Sequence, residues 1–108
     1  MPLYLSRFSY TPEAWAAMIK NPEDRRETAR AGIEAAGGKL LGFWYSFGEQ
    51  DGYTLVEAEN NVKAAAGVIA SNSGGALQSV ATTVLLTVEE MLEALREAQN
   101  LPYRPPKG

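Results

Sequence analysis

Residues 40–58 read Leu40-Leu41-Gly42-Phe43-Trp44-Tyr45-Ser46-Phe47-Gly48-Glu49-Gln50-Asp51-Gly52-Tyr53-Thr54-Leu55-Val56-Glu57-Ala58. Aromatic and β-branched residues dominate both ends, and Gly48 to Gly52 supplies turn chemistry between them. The stretch therefore predicts a β-hairpin, with strands over 40–47 and 53–58. Each flank carries a helix signal. Upstream, Ala29, Ile33 and Ala36 repeat at spacings of four and three, and Gly37-Gly38 follows as a C-terminal stop. Downstream, Asn60-Asn61 offers an N-cap, and Val62, Ala65, Ala66 and Ile69 form the expected apolar stripe. That helix should end within Ser71-Asn72-Ser73-Gly74-Gly75.

Further outward, the pattern becomes extended again. Leu3 to Tyr10 alternates with period two and stops at Thr11-Pro12, an N-cap with proline at the first helical position. A short helical piece over 13–20 carries Trp15, Met18 and Ile19. Asn21-Pro22 predicts a fresh cap, with Glu23 and Asp24 in the first turn, where the helix dipole favours acids. Leu77 to Leu86 is rich in β-branched residues. Thr87-Val88-Glu89-Glu90 is a capping box opening a last helix whose apolar side holds Val88, Leu92, Leu95 and Ala98. The order is β-α-β-β-α-β plus one helix. This is the ferredoxin-like α+β sandwich, a four-stranded antiparallel sheet with both crossover helices on one face. One domain is expected over residues 1–100, followed by a proline-rich tail over 101–108.

Sorting each strand by parity places bulky apolar groups on both sides of the sheet. Leu3 and Leu5 oppose Tyr4, Phe8 and Tyr10; Leu41, Phe43, Tyr45 and Phe47 oppose Leu40 and Trp44; Tyr53 and Leu55 oppose Val56 and Ala58. Leu77, Ala81 and Leu85 oppose Val80, Val84 and Leu86. Two helices cover only one face. An open apolar face larger than a few hundred Å² is unusual for a monomer. The expectation is a two-fold homodimer joined through the second sheet face, with a higher oligomer left open. The competing arrangement folds the C-terminal helix under the sheet within one chain.

Several segments look familiar together. Tyr10-Thr11-Pro12-Glu13-Ala14-Trp15, Asp24-Arg25-Arg26, Gly37-Gly38-Lys39-Leu40 and Phe47-Gly48-Glu49-Gln50-Asp51 resemble the GYD-domain family. So do Thr82-Thr83-Val84-Leu85-Leu86-Thr87-Val88-Glu89-Glu90 and Tyr103-Arg104-Pro105-Pro106. The chain departs from that family's Gly-Tyr-Asp at the hairpin, where Gln50 precedes Asp51 and Tyr53 lies two residues beyond it. The resemblance implies a ferredoxin-like fold of the dimeric α/β-barrel type, and it supplies no reaction.

Composition narrows the chemistry. The 108 residues include 10 Lys+Arg, 13 Asp+Glu, no histidine and no cysteine, with a net charge of −3. Without imidazole or thiol there is no Ser-His-Asp or Cys-His nucleophile, no His- or Cys-ligated metal and no disulfide. No metal and no cofactor is expected. The acidic balance argues against nucleic acid. No apolar run approaches about 18 residues, so no membrane span is expected. The start of the chain has no charged-then-apolar leader, and a reducing cytoplasmic location follows as the expectation.

The remaining candidates are aromatic and charged side chains. Tyr4, Tyr10, Trp15, Trp44 and Tyr53 are read as core or dimer contacts, or alternatively as the lining of an aromatic pocket between sheet and first helix. Asp51 is read as a side chain that holds the hairpin turn, or as a base at a pocket mouth. Arg7 and Glu57 are read as a cross-strand ion pair, or as a polar anchor inside a ligand cavity. No catalytic residue is assigned. The function expected is a small-molecule-binding or regulatory homodimer. The alternative, resting on fold analogy alone, is a cofactor-independent oxygenase or isomerase acting on an aromatic or polyketide-like substrate. A plain assembly module with a filled interior is the third class.

Overall fold

The computed structural model describes residues 1–107. Its elements run β1 (Leu3–Tyr10), α1 (Pro12–Lys20), α2 (Arg25–Ala35), β2 (Lys39–Tyr45), β3 (Gly52–Glu57), α3 (Asn61–Ser73), β4 (Leu77–Leu85) and α4 (Val88–Ala98). The four strands form one sheet in the order β2-β3-β1-β4, with every neighbouring pair antiparallel. This is the ferredoxin-like topology that the sequence predicts. Among the described residues no helix is long and apolar enough to cross a membrane.

The helix boundaries follow from local chemistry. Thr11 caps α1 by accepting from the Ala14 N–H, and proline occupies the first helical turn. Asn60 caps α3 by accepting from the Lys63 N–H. Thr87 and Glu90 satisfy one another's backbone donors at 3.0 and 2.9 Å, completing the capping box of α4. One expectation needs correction. Asn21 does not open the second helix; it closes α1, donating its N–H to Ala17 O. Asp24 is the cap of α2, accepting from the Arg26 N–H at 2.9 Å. Pro22 disfavours a helical conformation for the residue before it, which moves the restart downstream. Hydrogen bonding from Arg26 holds the Asp24 carboxyl down to about 2. At the far end, Gly37 takes a φ of 86°, the left-handed stop that a side chain disfavours.

Two bulges alter the parity of the sheet. β2 pairs Leu40 with Val56 and Gly42 with Leu55, so Leu41 is an extra residue. β4 pairs Ser79 with Ser9 but Leu77 with Tyr10, so Gln78 is extra. A one-residue insertion moves everything beyond it to the opposite face. Leu40 therefore shares a face with Phe43 and Tyr45, and Leu77 shares one with Val80, contrary to a strict even–odd reading. The face toward the helices carries Tyr4, Ser6, Phe8 and Tyr10 of β1. The open face carries Leu3, Leu5 and Arg7, flanked by Tyr53, Leu55 and Glu57 of β3 and by Ala81, Thr83 and Leu85 of β4. Apolar groups do reach both faces, although β4 makes the open one more polar than expected.

The core is small. Tyr4, Phe8, Tyr10, Leu40 and Ala58 are its buried members, and four of them face the helices. Phe8 lies edge-on to both Tyr10 (ring centroids 5.3 Å apart) and Phe43 (5.6 Å). Tyr10 in turn meets Trp15 of α1 edge-on at 5.2 Å. The stripe expected on α3 is corrected as well. Val62 and Ile69 are 77% and 69% exposed, whereas Ala64 and Val68 are the half-buried positions. Ala64, Ala65 and Ala66 make that helix apolar almost all round, so periodicity by itself does not choose a face.

Candidate functional site

Between the sheet and the crossover helices α2 and α3 lies a chamber of about 400 Å³. Its floor comes from alternate residues of β1, which period two aims at one side: Tyr4, Ser6, Phe8 and Tyr10. Val56 and Val80 extend the floor onto neighbouring strands, while Ile33 of α2 and Val68 of α3 form the roof. The volume falls in the range of small-molecule sites.

The polar atoms of the floor bond among themselves. Ser6 Oγ and Thr82 Oγ1 are 2.8 Å apart, and the Tyr4 hydroxyl donates to Asn61 Oδ1 at 2.6 Å. The Tyr10 and Tyr45 hydroxyls are 3.2 Å apart. Burial and the neighbouring Tyr45 hydroxyl push the Tyr10 phenol well above its usual range, while Arg25 pulls the other way. Tyr10 thus remains a neutral phenol at ordinary pH. Arg25 lines the chamber, and its guanidinium is joined to Glu23 at 2.8 Å. The wall is largely hydrocarbon, an arrangement that favours transfer of apolar surface out of water. Among the described residues no group of three or more carboxylates, histidines or cysteines stands close enough to hold a metal ion.

The residues singled out from sequence separate onto two faces. Tyr4, Tyr10 and Glu57, at the end of β3, line the chamber; Trp15 packs against Tyr10 without lining it. Trp44, Tyr53 and Arg7 sit in one cross-strand row on the open face, because Trp44 pairs with Tyr53 and Tyr53 with Arg7. A single pocket holding all five aromatic residues is therefore not formed. Nor do Arg7 and Glu57 pair. Arg7 stands opposite Tyr53 while Glu57 stands opposite Leu3, an offset of four residues, or roughly 13 Å along the strand. Among the described residues the three ion pairs are all local to residues 23–30. Arg7 is exposed and Glu57 only half-buried, so neither is a buried charge that demands an ion partner.

Asp51 holds the hairpin, but by a longer reach than its own turn. Its N–H donates to Phe8 O and its Oδ2 accepts from the Tyr10 N–H, both at 2.9 Å. It therefore ties the hairpin loop to the end of β1, where the ladder to β3 has run out. We expect Asp51→Ala to cost about 1–2 kcal/mol, because a half-buried backbone donor is left without an acceptor. Asp51→Asn, which keeps an acceptor oxygen, should cost less than half as much. Urea unfolding of both variants checks this, and equal losses would make charge rather than the hydrogen bond the cause.

Sequence reasoning missed Phe8, Ser6, Thr82, Val80 and Val68 as chamber residues. For Ser6 and Phe8 the signal was present, since they alternate with Tyr4 and Tyr10. Thr82 and Val80 follow from the pairing of β4 on β1, and the position of Val68 follows from tertiary docking of α3. Neither is a local property.

Comparison with known proteins bears out the fold. No curated protein matches the chain. Among solved structures it is similar to the crystal structure of MtbAldR (Rv2779c), with a TM-score of 0.51 and 14% identity. The match covers 80% of this chain and 52% of that one, so the chain spans about half the length of that protein. At this identity the likeness concerns the fold alone. The GYD domain model matches residues 4–95, from the first chamber residue of β1 to the middle of α4. By that match, which takes in the whole sheet and both crossover helices, the chain belongs to the GYD domain family.

Proposed function

We propose that this protein is a small-molecule-binding module that works as a homodimer. The observation that carries the binding reading is the chamber between β1 and the α2–α3 roof, about 400 Å³ in volume. Its chemistry selects an apolar ligand. The hydroxyls of Tyr4, Ser6, Tyr10 and Thr82 already have partners, so a ligand gains most from hydrocarbon or aromatic surface laid against Phe8, Val56, Val80 and Val68. The titratable groups of the lining are few: Tyr10 is held neutral, and among the described residues Glu57 is the one carboxylate beside the cations Arg25 and Lys63.

The dimer reading rests on the open face of the sheet. Leu3, Leu5, Leu55 and Leu85 sit in adjacent registers there, beside a Trp44 that is 54% exposed. A second copy laid on the same face would remove this patch from water symmetrically.

The experiment for the chamber uses 2-naphthol, an apolar bicycle with one hydroxyl, titrated into isotope-labelled protein. Amide shifts clustered at Tyr4, Phe8, Val68 and Val80 are expected, and Val68→Trp, which fills the roof, should abolish them with the fold intact. Shifts confined to Trp44 and Tyr53, or none at millimolar probe, would overturn the binding reading.

A further inference from the structure

The C-terminal helix is strongly amphipathic and stands clear of the rest of its own chain. Val88, Met91, Leu92 and Leu95 lie along one side of α4 and are all 46% exposed or more. Glu89, Glu93 and Glu97, spaced four residues apart, line another side that suits water. Among the described residues no other element makes a substantial contact with α4. Its exit direction is set locally. Only Leu86 and Thr87 separate it from β4. Thr87 is extended and the capping box fixes where the helix starts, so α4 leaves the strand end after a two-residue link.

The surface of the whole chain says how much must be covered. A folded monomer of 11.7 kDa exposes about 5,900 Å², whereas this chain exposes 8092 Å². The excess is about 2,200 Å² per chain, or about 4,400 Å² per pair, well inside the range of obligate homodimers. The radius of gyration points the same way, at 17.7 Å against about 13 Å for a compact chain of this length. The open sheet face accounts for only part of that excess. Four strands about 4.8 Å apart and some seven residues long present roughly 500 Å². Part of the balance lies on the exposed tail over 101–107, and the apolar side of α4 is a second surface whose burial would leave the chamber untouched.

We infer that α4 of each chain packs its Val88–Met91–Leu92–Leu95 side onto a second copy of this chain, so that the two copies exchange C-terminal helices. The exchange shares with the dimer reading above only the existence of a second copy, and the chamber does not depend on it. Each helix then buries its apolar stripe and leaves its acidic side in water, and a clasp of this kind adds to the sheet contact.

Two measurements on the full chain decide it. In a dimer mixed from one copy with a 13C-labelled Met91 methyl and one unlabelled copy, isotope-filtered NOEs from that methyl should reach the unlabelled chain. The double variant Leu92→Glu/Leu95→Glu, checked for an intact sheet by circular dichroism, should raise the dimer dissociation constant on the order of 100-fold or more. A parent dimer whose Met91 methyl meets only its own chain, or only solvent, overturns the exchange and leaves the sheet dimer standing. A parent that sediments as a monomer at micromolar concentration overturns both. A double variant that dimerises as tightly as the parent overturns the exchange alone; if the variant does not fold, the NOE measurement on the parent decides.

Discussion

Phe8→Ala should remove about 3 kcal/mol of stability and lower the urea midpoint by roughly 2 M. Phe8 is 6% exposed and holds the middle of the helix-facing side, edge-on to Tyr10 and Phe43. Truncation loses the transfer free energy of a ring and two aromatic contacts. The expected loss is near the lower end for Phe→Ala because one side of the ring already borders the chamber, where fewer neighbours are forfeited. Against a total stability of about 5–15 kcal/mol for a domain of this kind, the variant is marginal. A midpoint shift under about 0.5 M would mean that Phe8 is not packed as described.

Gly52→Ala should cost about 1–3 kcal/mol, although it adds a single methyl group. The added Cβ would stand 2.8 Å from Phe8 Cε2 and 3.0 Å from Cε1, with Cζ closer still. Phe8 is held by Tyr10 and Phe43 and gives way only toward the chamber, at the cost of those two edge-on contacts. Gly42 provides the control. A Cβ there would meet the Trp44 ring, but that ring is half exposed and free to rotate away, so Gly42→Ala should stay within about 0.5 kcal/mol of the parent. Combining Gly52→Ala with Phe8→Ala should cost less than the two losses added together, because the new methyl enters the space the ring vacates. Denaturant unfolding of the four proteins closes the cycle, and simple additivity would show that the two residues do not touch.

These effects arise where the sequence was least explicit. Gly52 reads as the last residue of a turn, and only the pairing of β3 with β1 reveals that it gives room to Phe8. Asp51 likewise reads as a turn residue, and its acceptor role toward Tyr10 exists because residues 41 apart are brought together. Arg7 and Glu57 looked like partners because their strands are neighbours. Register, which composition does not carry, sets them four residues apart.

The element order, the caps at Thr11, Asn60 and Thr87, the hairpin and the ferredoxin-like fold class were all determined by the sequence by itself. Each depends on interactions within a few residues: a side-chain oxygen meeting a nearby N–H, a proline fixing φ, or alternation along one strand. The tertiary structure alone decided the bulges at Leu41 and Gln78, the docked face of α3 and the division of the aromatic residues between chamber and open face. Those outcomes depend on which distant backbone or side chain each residue meets. In a sheet, one inserted residue reverses every side chain beyond it, so a strictly local pattern cannot anticipate them.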